Sequence, residues 1–175
     1  RMVAGVDVWL NNPIYPLETT VGGFNLDAAN VYGRKSAFGV IGYGQSDFDE
    51  RVTAMVAGQG RTILPDENPA AGSYFRSDHF PLARRGVPMA YAKSAGVFID
   101  EPVAERTATA ADYTAKRYHQ ADDEWSPDWD YSGQIQDLEV YYSVARALAN
   151  SRDWPQWKSG SEFAPVRATS ASSRR

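Results

Sequence analysis

The residues best suited to chemistry in this chain lie between Lys116 and Glu124, a stretch with the sequence KRYHQADDE. His119 is one of only two histidines; it follows Tyr118 and precedes Asp123 by four residues. Imidazole is the commonest protein ligand for zinc, a phenol can stabilise a developing oxyanion, and a carboxylate can orient the imidazole ring. A lone histidine is more often a packed or solvated surface residue than a ligand, so the interpretation of this Tyr-His pair depends on the segments that accompany it.

Two polar segments precede this stretch. Residues 25–27 have the sequence NLD, and residues 76–87 have the sequence RSDHFPLARRGV. In open α/β sheets, functional residues gather beyond the carboxyl ends of strands, and we expect Asp27 to lie at such a position. Purely structural roles are also available, because Asp27 can stabilise a turn and Ser77 or Asp78 can cap a helix that begins at Phe80.

Composition limits the classes of protein to which the chain can belong. A length of 175 residues, with 43% hydrophobic and 13% aromatic residues, indicates one folded domain. A net charge of −4 provides no basic surface for nucleic acid. No apolar run approaches the roughly 18 residues of a membrane span, and no targeting signal is visible. Because the chain has no cysteine, any metal must be held by nitrogen and oxygen.

Predicted strands and helices alternate along the chain, which favours an α/β layered domain with a largely parallel sheet. Hydrophobic periodicity and turn residues predict strands at 21–29, 38–43, 61–64 and 87–91, and helices at 47–57, 80–85 and 132–150. We interpret residues 95–127 as a long functional loop, because Pro102 and Pro127 oppose one continuous helix. The last helix is predicted to bury one stripe: Ile135, Leu138, Tyr142, Ala145 and Leu148.

In this order, NLD, SDHFPLARRGVP and YHQADDE resemble the second half of the zinc aminopeptidase family, over about residues 12–163. That family includes bacterial leucyl aminopeptidases, aminopeptidase Y and glutamate carboxypeptidase II, and glutaminyl cyclases and the transferrin receptor are relatives. The resemblance implies a three-layer α/β/α sandwich with a mixed, largely parallel central sheet that is incomplete at its amino terminus. It also divides the chain into residues 1–158, the carboxyl-terminal portion of one peptidase catalytic domain, and residues 159–175, a loose tail.

The resemblance further implies roles for seven side chains around two zinc ions. The family's metal-binding histidine corresponds to the later of the two histidines, so the earlier one is assigned to the edge of the site. The implied metal ligands are Asp27 and His119, with Asp123 as the carboxylate that supports the ligand histidine. The implied oxyanion stabiliser is Tyr118. The implied substrate-binding residues are Arg76, Asp78 and His79.

Part of the family's site has no counterpart here. Its His-x-Asp element and its Glu-Glu pair, which contains the general base, lie upstream of the segment that resembles residues 21–30, whereas RMVAGVDVWLNNP at residues 1–13 contains neither His nor Glu. We therefore expect the carboxyl-terminal part of a zinc-dependent metallopeptidase of the aminopeptidase type, which removes amino-terminal residues from peptides and whose partner is the missing amino-terminal half of the same protein. Alone, the chain is expected to bind zinc weakly or not at all and to be inactive.

Two other functions stay open at this stage. The chain could be a metal-free binding domain that kept the fold, or a single-zinc enzyme resembling glutaminyl cyclase. A secreted or periplasmic location is expected only from the resemblance. Because a half-sheet leaves an unpaired edge, we also expect self-association or poor solubility when the chain is expressed alone.

Overall fold

The computed structural model describes residues 4–27 and 29–174, with side chains described from Val6 onward. Its four strands are β1 Gly23–Asn25, β2 Lys35–Ile41, β3 Thr62–Pro65 and β4 Met89–Phe98. Its six α-helices are α1 Ala4–Asn11, α2 Phe48–Gly58, α3 Phe80–Arg84, α4 Val103–Lys116, α5 Ser132–Ala149 and α6 Ala164–Thr169. No helix in the described ranges is long and apolar enough to cross a lipid bilayer.

The four strands form one open sheet in the order β1-β4-β2-β3. β1 runs parallel to β4 and β2 runs parallel to β3, whereas β2 and β4 are antiparallel. Two of the three strand pairs are therefore parallel, and helices connect β2 to β3 and β3 to β4. This confirms the predicted α/β class with a mixed, mostly parallel sheet.

Helices α2 and α5 cover one face of the sheet. The buried side chains between them and the sheet include Phe38 and Val40 from β2, Val52 from α2 and Val144 from α5. Because successive strand residues point to opposite faces, Met89 of β4 lies on the other face from its neighbour Ala90. A second cluster forms there, where that methionine packs with Ala83 of α3, with Val87 just before β4, and with Trp157 and Phe163 of the carboxyl-terminal segment.

The segment 95–127 is not one long loop, so this prediction was wrong. β4 continues to Phe98, and α4 occupies Val103–Lys116. Pro102 does not oppose α4, because it lies directly before the first helical residue, where a missing N–H leaves no helical hydrogen bond unmade. The irregular part that carries Tyr118 and His119 is confined to the connection between α4 and α5.

Helix α5 was predicted correctly, but its buried stripe was not. Ile135, Leu138, Tyr142 and Ala145 are exposed, and of the predicted stripe only Leu148 is buried. The observed buried face begins with a glycine and an aspartate, which a search for apolar side chains does not select. Its residues are Gly133, Asp137, Val140, Tyr141, Val144 and Leu148.

Part of the segment 159–175 is ordered against the rest of the protein, in contrast to the expected loose tail. Phe163 packs in the second core cluster, and Arg167 of α6 is 3% exposed. The Arg167 guanidinium donates hydrogen bonds from Nη1 to the Thr20 carbonyl (3.1 Å) and from Nη2 to the Val21 carbonyl (3.4 Å). Helix α6 therefore anchors the chain at the entrance to β1.

A buried polar network joins the sheet to α5. Asp137 Oδ1 accepts a hydrogen bond from Arg61 Nη1 (2.8 Å), and Oδ2 accepts from the Ser94 backbone N–H (2.9 Å) and hydroxyl (2.6 Å). The Ser94 hydroxyl in turn accepts from Asn30 Nδ2 (3.2 Å), in the loop after β1. A charged pair at this depth depends on its hydrogen bonds, which reach both Asp137 oxygens and both Arg61 terminal nitrogens but leave Arg61 Nε without a partner.

Replacing Asp137 with alanine leaves the Arg61 charge buried without its partner, since the Arg61 side chain is 2% exposed. We expect the free energy of unfolding to fall by about 3–5 kcal/mol, measured by urea denaturation. The matched control is Asp153→Ala, which removes an exposed ion pair with Arg51 and is expected to cost less than about 1 kcal/mol. Equal losses in the two variants would contradict the expected importance of the buried pair.

The edge of β1 away from β4 has no strand partner in the described chain. Beside it lies an apolar groove of about 270 Å³, lined by Val21, Phe24, Phe48 and the end of α5. Because an open edge beside apolar surface promotes association, we expect concentration-dependent oligomers in analytical ultracentrifugation. Ala145→Lys, which places a charge in this groove, is expected to reduce association, whereas Ile14→Lys on an exposed residue outside it is not. A monomer at every concentration would contradict this prediction.

Candidate functional site

Four of the predicted site residues line one cavity of about 520 Å³: Asp27, Tyr118, His119 and Asp123. Asp27 lies two residues beyond the end of β1, whereas the other three belong to the connection between α4 and α5. The cavity thus opens past the carboxyl end of a parallel strand, where α/β proteins commonly place their functional residues.

The Asp27 side chain is exposed to the cavity, and a residue of the sheet hydrogen-bonds its carboxylate. Tyr91 Oη donates a hydrogen bond of 3.3 Å to Asp27 Oδ2. Tyr91 lies on β4 opposite Asn25, the last residue of β1, so strand pairing brings its side chain to this point. Burial raises the pKa of the Tyr91 hydroxyl, which therefore stays protonated and able to donate.

The loop that follows Asp27 is fixed by close packing against the start of α5. Asn30 Oδ1 accepts the Tyr32 backbone N–H (3.2 Å), and Asn30 Nδ2 donates to the Gly33 carbonyl (2.5 Å). A Cβ atom at Gly133 would collide with both the Gly33 carbonyl and the Asn30 amide. The absence of a side chain at position 133 therefore allows α5 to approach the loop that carries the site.

His119 adopts the left-handed backbone conformation, with φ of 61°. This region is uncommon for residues other than glycine, although histidine is among those that enter it most often. The turn begins where the Tyr113 carbonyl, at the end of α4, accepts the backbone N–H groups of Arg117 and Tyr118. The Tyr118 ring then stacks on the imidazole, with centroids 3.9 Å apart. The last turn of α4 and this stacking together place both side chains at the cavity.

Asp123 is held by α4 in this structure. Its Oδ1 accepts a hydrogen bond of 2.9 Å from the Tyr113 hydroxyl. That contact connects the far end of the connecting segment to the helix before it. The role implied for Asp123 as a support of His119 stays a prediction.

The three residues assigned to substrate binding do not line this cavity. Arg76 and Asp78 are exposed, and Arg76 Nη2 donates to the Ala71 carbonyl (2.8 Å). His79 is 1% exposed and lies between the rings of Tyr74 (4.5 Å) and Tyr91 (5.1 Å). His79 thus approaches Asp27 only through Tyr91, and the substrate-binding role of all three stays a prediction.

Asp27 and His119 have the donor chemistry that zinc requires, one oxygen and one nitrogen ligand on the same cavity. In the described parts of the chain, no group of three or more His, Asp or Glu side chains could hold a metal ion. A catalytic zinc ion typically needs about three protein ligands. The two residues therefore fit as ligands of a metal centre without completing one.

Sequence reasoning missed several aromatic residues of the cavity. Tyr32, Tyr113, Trp129 and Tyr131 all line it, and Tyr91 contacts it through Asp27. The available signal was the concentration of tyrosine and tryptophan between residues 113 and 131, at both ends of the YHQADDE motif. Their common location became evident only from the three-dimensional arrangement.

Nitrogen and oxygen donors that meet beyond the carboxyl end of a parallel strand are the arrangement expected of a metal-dependent hydrolase with an α/β fold. The sequence model of Peptidase family M28 matches residues 2–143, which is most of the chain and includes the whole cavity. The chain therefore belongs to peptidase family M28, and the predicted zinc aminopeptidase relationship is confirmed at the level of the family. No curated protein and no solved structure matches the chain.

The buried histidine beneath the site makes stability depend on pH. Burial lowers the pKa of His79 to about 4, so the folded protein keeps the ring neutral while the unfolded chain binds a proton below about pH 6.5. Stability linked to His79 is therefore complete above pH 6.5 and is lost as the pH falls toward 4. Asp49 has the opposite effect, because burial raises its pKa to about 6 and favours the protonated folded state at low pH.

Because these two effects oppose each other, we isolate His79 by comparing the wild type with His79→Leu. Between pH 7.5 and pH 4.5, the difference in unfolding free energy is expected to shift by roughly 2–3 kcal/mol in favour of the variant. Urea denaturation at several pH values measures it. Ile14→Leu, at an exposed position without a titratable group, serves as the control and is expected to give a flat difference. A flat difference for His79→Leu would contradict the prediction.

Proposed function

We propose that this chain supplies part of the active site of a zinc-dependent exopeptidase of the aminopeptidase type. Membership of peptidase family M28 establishes the coarser function, that of a metallopeptidase. The observation that carries the finer proposal is the meeting of Asp27 and His119, from distant parts of the chain, on one cavity. These are the residues that correspond to the family's two separate zinc ligands.

In this proposal, the Asp27 carboxylate and the His119 imidazole each contribute one ligand to a different zinc ion. The metal pair, when bound, supplies Lewis-acid polarisation of the scissile carbonyl and an acidic water. Tyr91 orients the Asp27 carboxylate through its hydrogen bond. Tyr118, stacked on the imidazole and 45% exposed, donates a hydrogen bond to the carbonyl oxygen as negative charge develops there.

The remaining ligands and the general base must come from polypeptide outside residues 1–175. One ligand per ion is too few to hold zinc tightly. The chain's other histidine, His79, is buried between two tyrosine rings and cannot complete the set. We therefore infer that the isolated chain binds zinc weakly and does not hydrolyse peptides.

The test compares the isolated chain with the complete product of the gene that encodes it. Zinc content after gel filtration and hydrolysis of leucine p-nitroanilide are measured, with the N-acetylated substrate as the control for exopeptidase action. We expect two zinc ions and hydrolysis of only the unblocked substrate for the complete product, and neither property for the chain alone. Asp27→Asn and His119→Gln in the complete product are each expected to reduce hydrolysis at least about a hundredfold. The exposed Asp153→Asn serves as the matched control.

Other outcomes identify other functions. Two zinc ions retained by the isolated chain would contradict the inferred shortage of ligands. A complete product without zinc and without hydrolysis would instead indicate a metal-free binding domain. One bound zinc ion with cyclisation of amino-terminal glutamine would indicate an enzyme resembling glutaminyl cyclase.

A further inference from the structure

Aromatic rings from three separate parts of the chain line the cavity that contains Asp27 and His119. Tyr32 comes from the loop after β1, and Tyr113 comes from α4. Tyr118, Trp129 and Tyr131 come from the connection between α4 and α5. The volume of about 520 Å³ lies within the range of sites that enclose small organic ligands.

These rings form a continuous row that ends at the proposed metal ligand. The centroids of Tyr32 and Tyr113 are 5.9 Å apart, and those of Tyr113 and Tyr118 are 6.2 Å apart. The Tyr118 ring then stacks on His119. A side chain bound along this row therefore lies directly beside the position where a peptide bond would be cleaved.

The aromatic walls are held in place by Arg106 of α4. Its Nη1 donates to the Tyr32 carbonyl (2.7 Å) and to Asp130 Oδ2 (2.6 Å). Tyr32 and Asp130 also form a parallel β-bridge, and Asp130 lies between Trp129 and Tyr131 in sequence. One guanidinium thus joins the elements that carry the rings, which lowers the entropic cost of binding a flat ligand between them.

The charged groups of the cavity already have partners within the protein. Asp123 accepts the hydrogen bond from Tyr113, and Asp27 accepts the one from Tyr91. None of the described residues that line the cavity is Lys or Arg. The Arg117 guanidinium lies 5.7 Å from the centroid of the Tyr113 ring without lining the cavity. An aromatic ligand ring can make edge-to-face or offset-stacked contacts with several of the walls.

We propose that this cavity is the side-chain subsite that selects an aromatic amino-terminal residue, with Tyr32, Tyr113 and Trp129 as specificity-determining residues. The assignment of this side chain to a cleaved peptide rests on the proposed function. The binding itself does not, because all of these walls belong to this chain and no metal is needed to form them.

The test therefore uses the isolated 175-residue chain with EDTA present. Binding of 4-fluoro-L-phenylalaninamide is followed by ¹⁹F NMR, and unlabelled amino-acid amides compete with it. Phenylalaninamide and tryptophanamide are expected to displace the probe at concentrations at least about fivefold lower than leucinamide. Glutamic acid α-amide and alaninamide are expected to compete still less. Preferential binding of lysinamide would overturn the proposal and assign the rings to a cation.

Variants on different elements connect the binding to the rings. Tyr32→Ala and Tyr113→Ala are each expected to weaken probe binding at least about fivefold, whereas Tyr113→Phe keeps the ring and is expected to retain binding. Tyr142→Ala, on an exposed face of α5 outside the cavity, is the matched control. Circular dichroism establishes that each variant is folded, and Trp129→Ala replaces Tyr113→Ala if that variant unfolds. Unchanged affinity in Tyr32→Ala together with Tyr113→Ala, or with Trp129→Ala in its place, would overturn the proposal.

The two proposals fail in different ways. A complete gene product without zinc or hydrolysis would refute the exopeptidase assignment and leave the aromatic binding of the isolated chain intact. Hydrolysis with no preference among amino-acid amides, and no binding of the fluorinated probe, would refute the subsite alone.

Discussion

The buried carboxylate of Asp137, on α5, accepts hydrogen bonds from two residues of the sheet region, Arg61 and Ser94. It accepts hydrogen bonds from Arg61 at the start of β3, and from the backbone and hydroxyl of Ser94 in β4. The Arg61 guanidinium also donates to the Ala37 carbonyl and lies 5.1 Å from the centroid of the Phe38 ring. Hydrogen bonds of this kind strengthen one another in a low-dielectric interior, and each partner is costly to leave unpaired. The position of α5 on the sheet is therefore defined by polar geometry as well as by apolar contact.

The same network determines where the functional residues lie. The Ser94 hydroxyl accepts a hydrogen bond from Asn30, and Asn30 also bonds the backbone of Tyr32 and Gly33 in the loop after Asp27. The Arg106 guanidinium extends this network of hydrogen bonds, because it donates to both the Tyr32 carbonyl and the Asp130 carboxylate. A path of hydrogen bonds thus runs from the centre of the sheet to both sides of the cavity. The irregular backbone around His119 is held separately, by the end of α4 and the Tyr118 ring, because a left-handed residue persists only where its surroundings hold it.

Much of the fold could be predicted because its elements have clear local signals. Helix α2 has a regular apolar face and ends at Gly58–Gly60, and β3 begins immediately afterwards. Helix α4 was missed because none of its residues is buried, so no apolar stripe indicated it. The buried face of α5 was misassigned because Gly133 and Asp137 belong to it for reasons of packing and hydrogen bonding, which hydrophobic periodicity does not detect.

For the site, Asp27 and His119 were selected through resemblance to a family, since nothing in their spacing indicates that they share a cavity. Tyr91 could not be found without the pairing of β1 with β4.

The hydrogen bonds from Arg167 to the carbonyls of Thr20 and Val21 join residues 147 and 146 positions apart in the chain. During synthesis on the ribosome, residues 20 and 21 leave the exit tunnel long before residue 167 is made. The carbonyls at the entrance to β1 must then remain hydrated, and closing so long a loop adds an entropic barrier. Formation of these two hydrogen bonds is therefore a late event, whereas β1 can pair with β4 as soon as residues 89–91 are available. A nascent chain would therefore leave the two carbonyls ahead of β1 without these partners until α6 emerges.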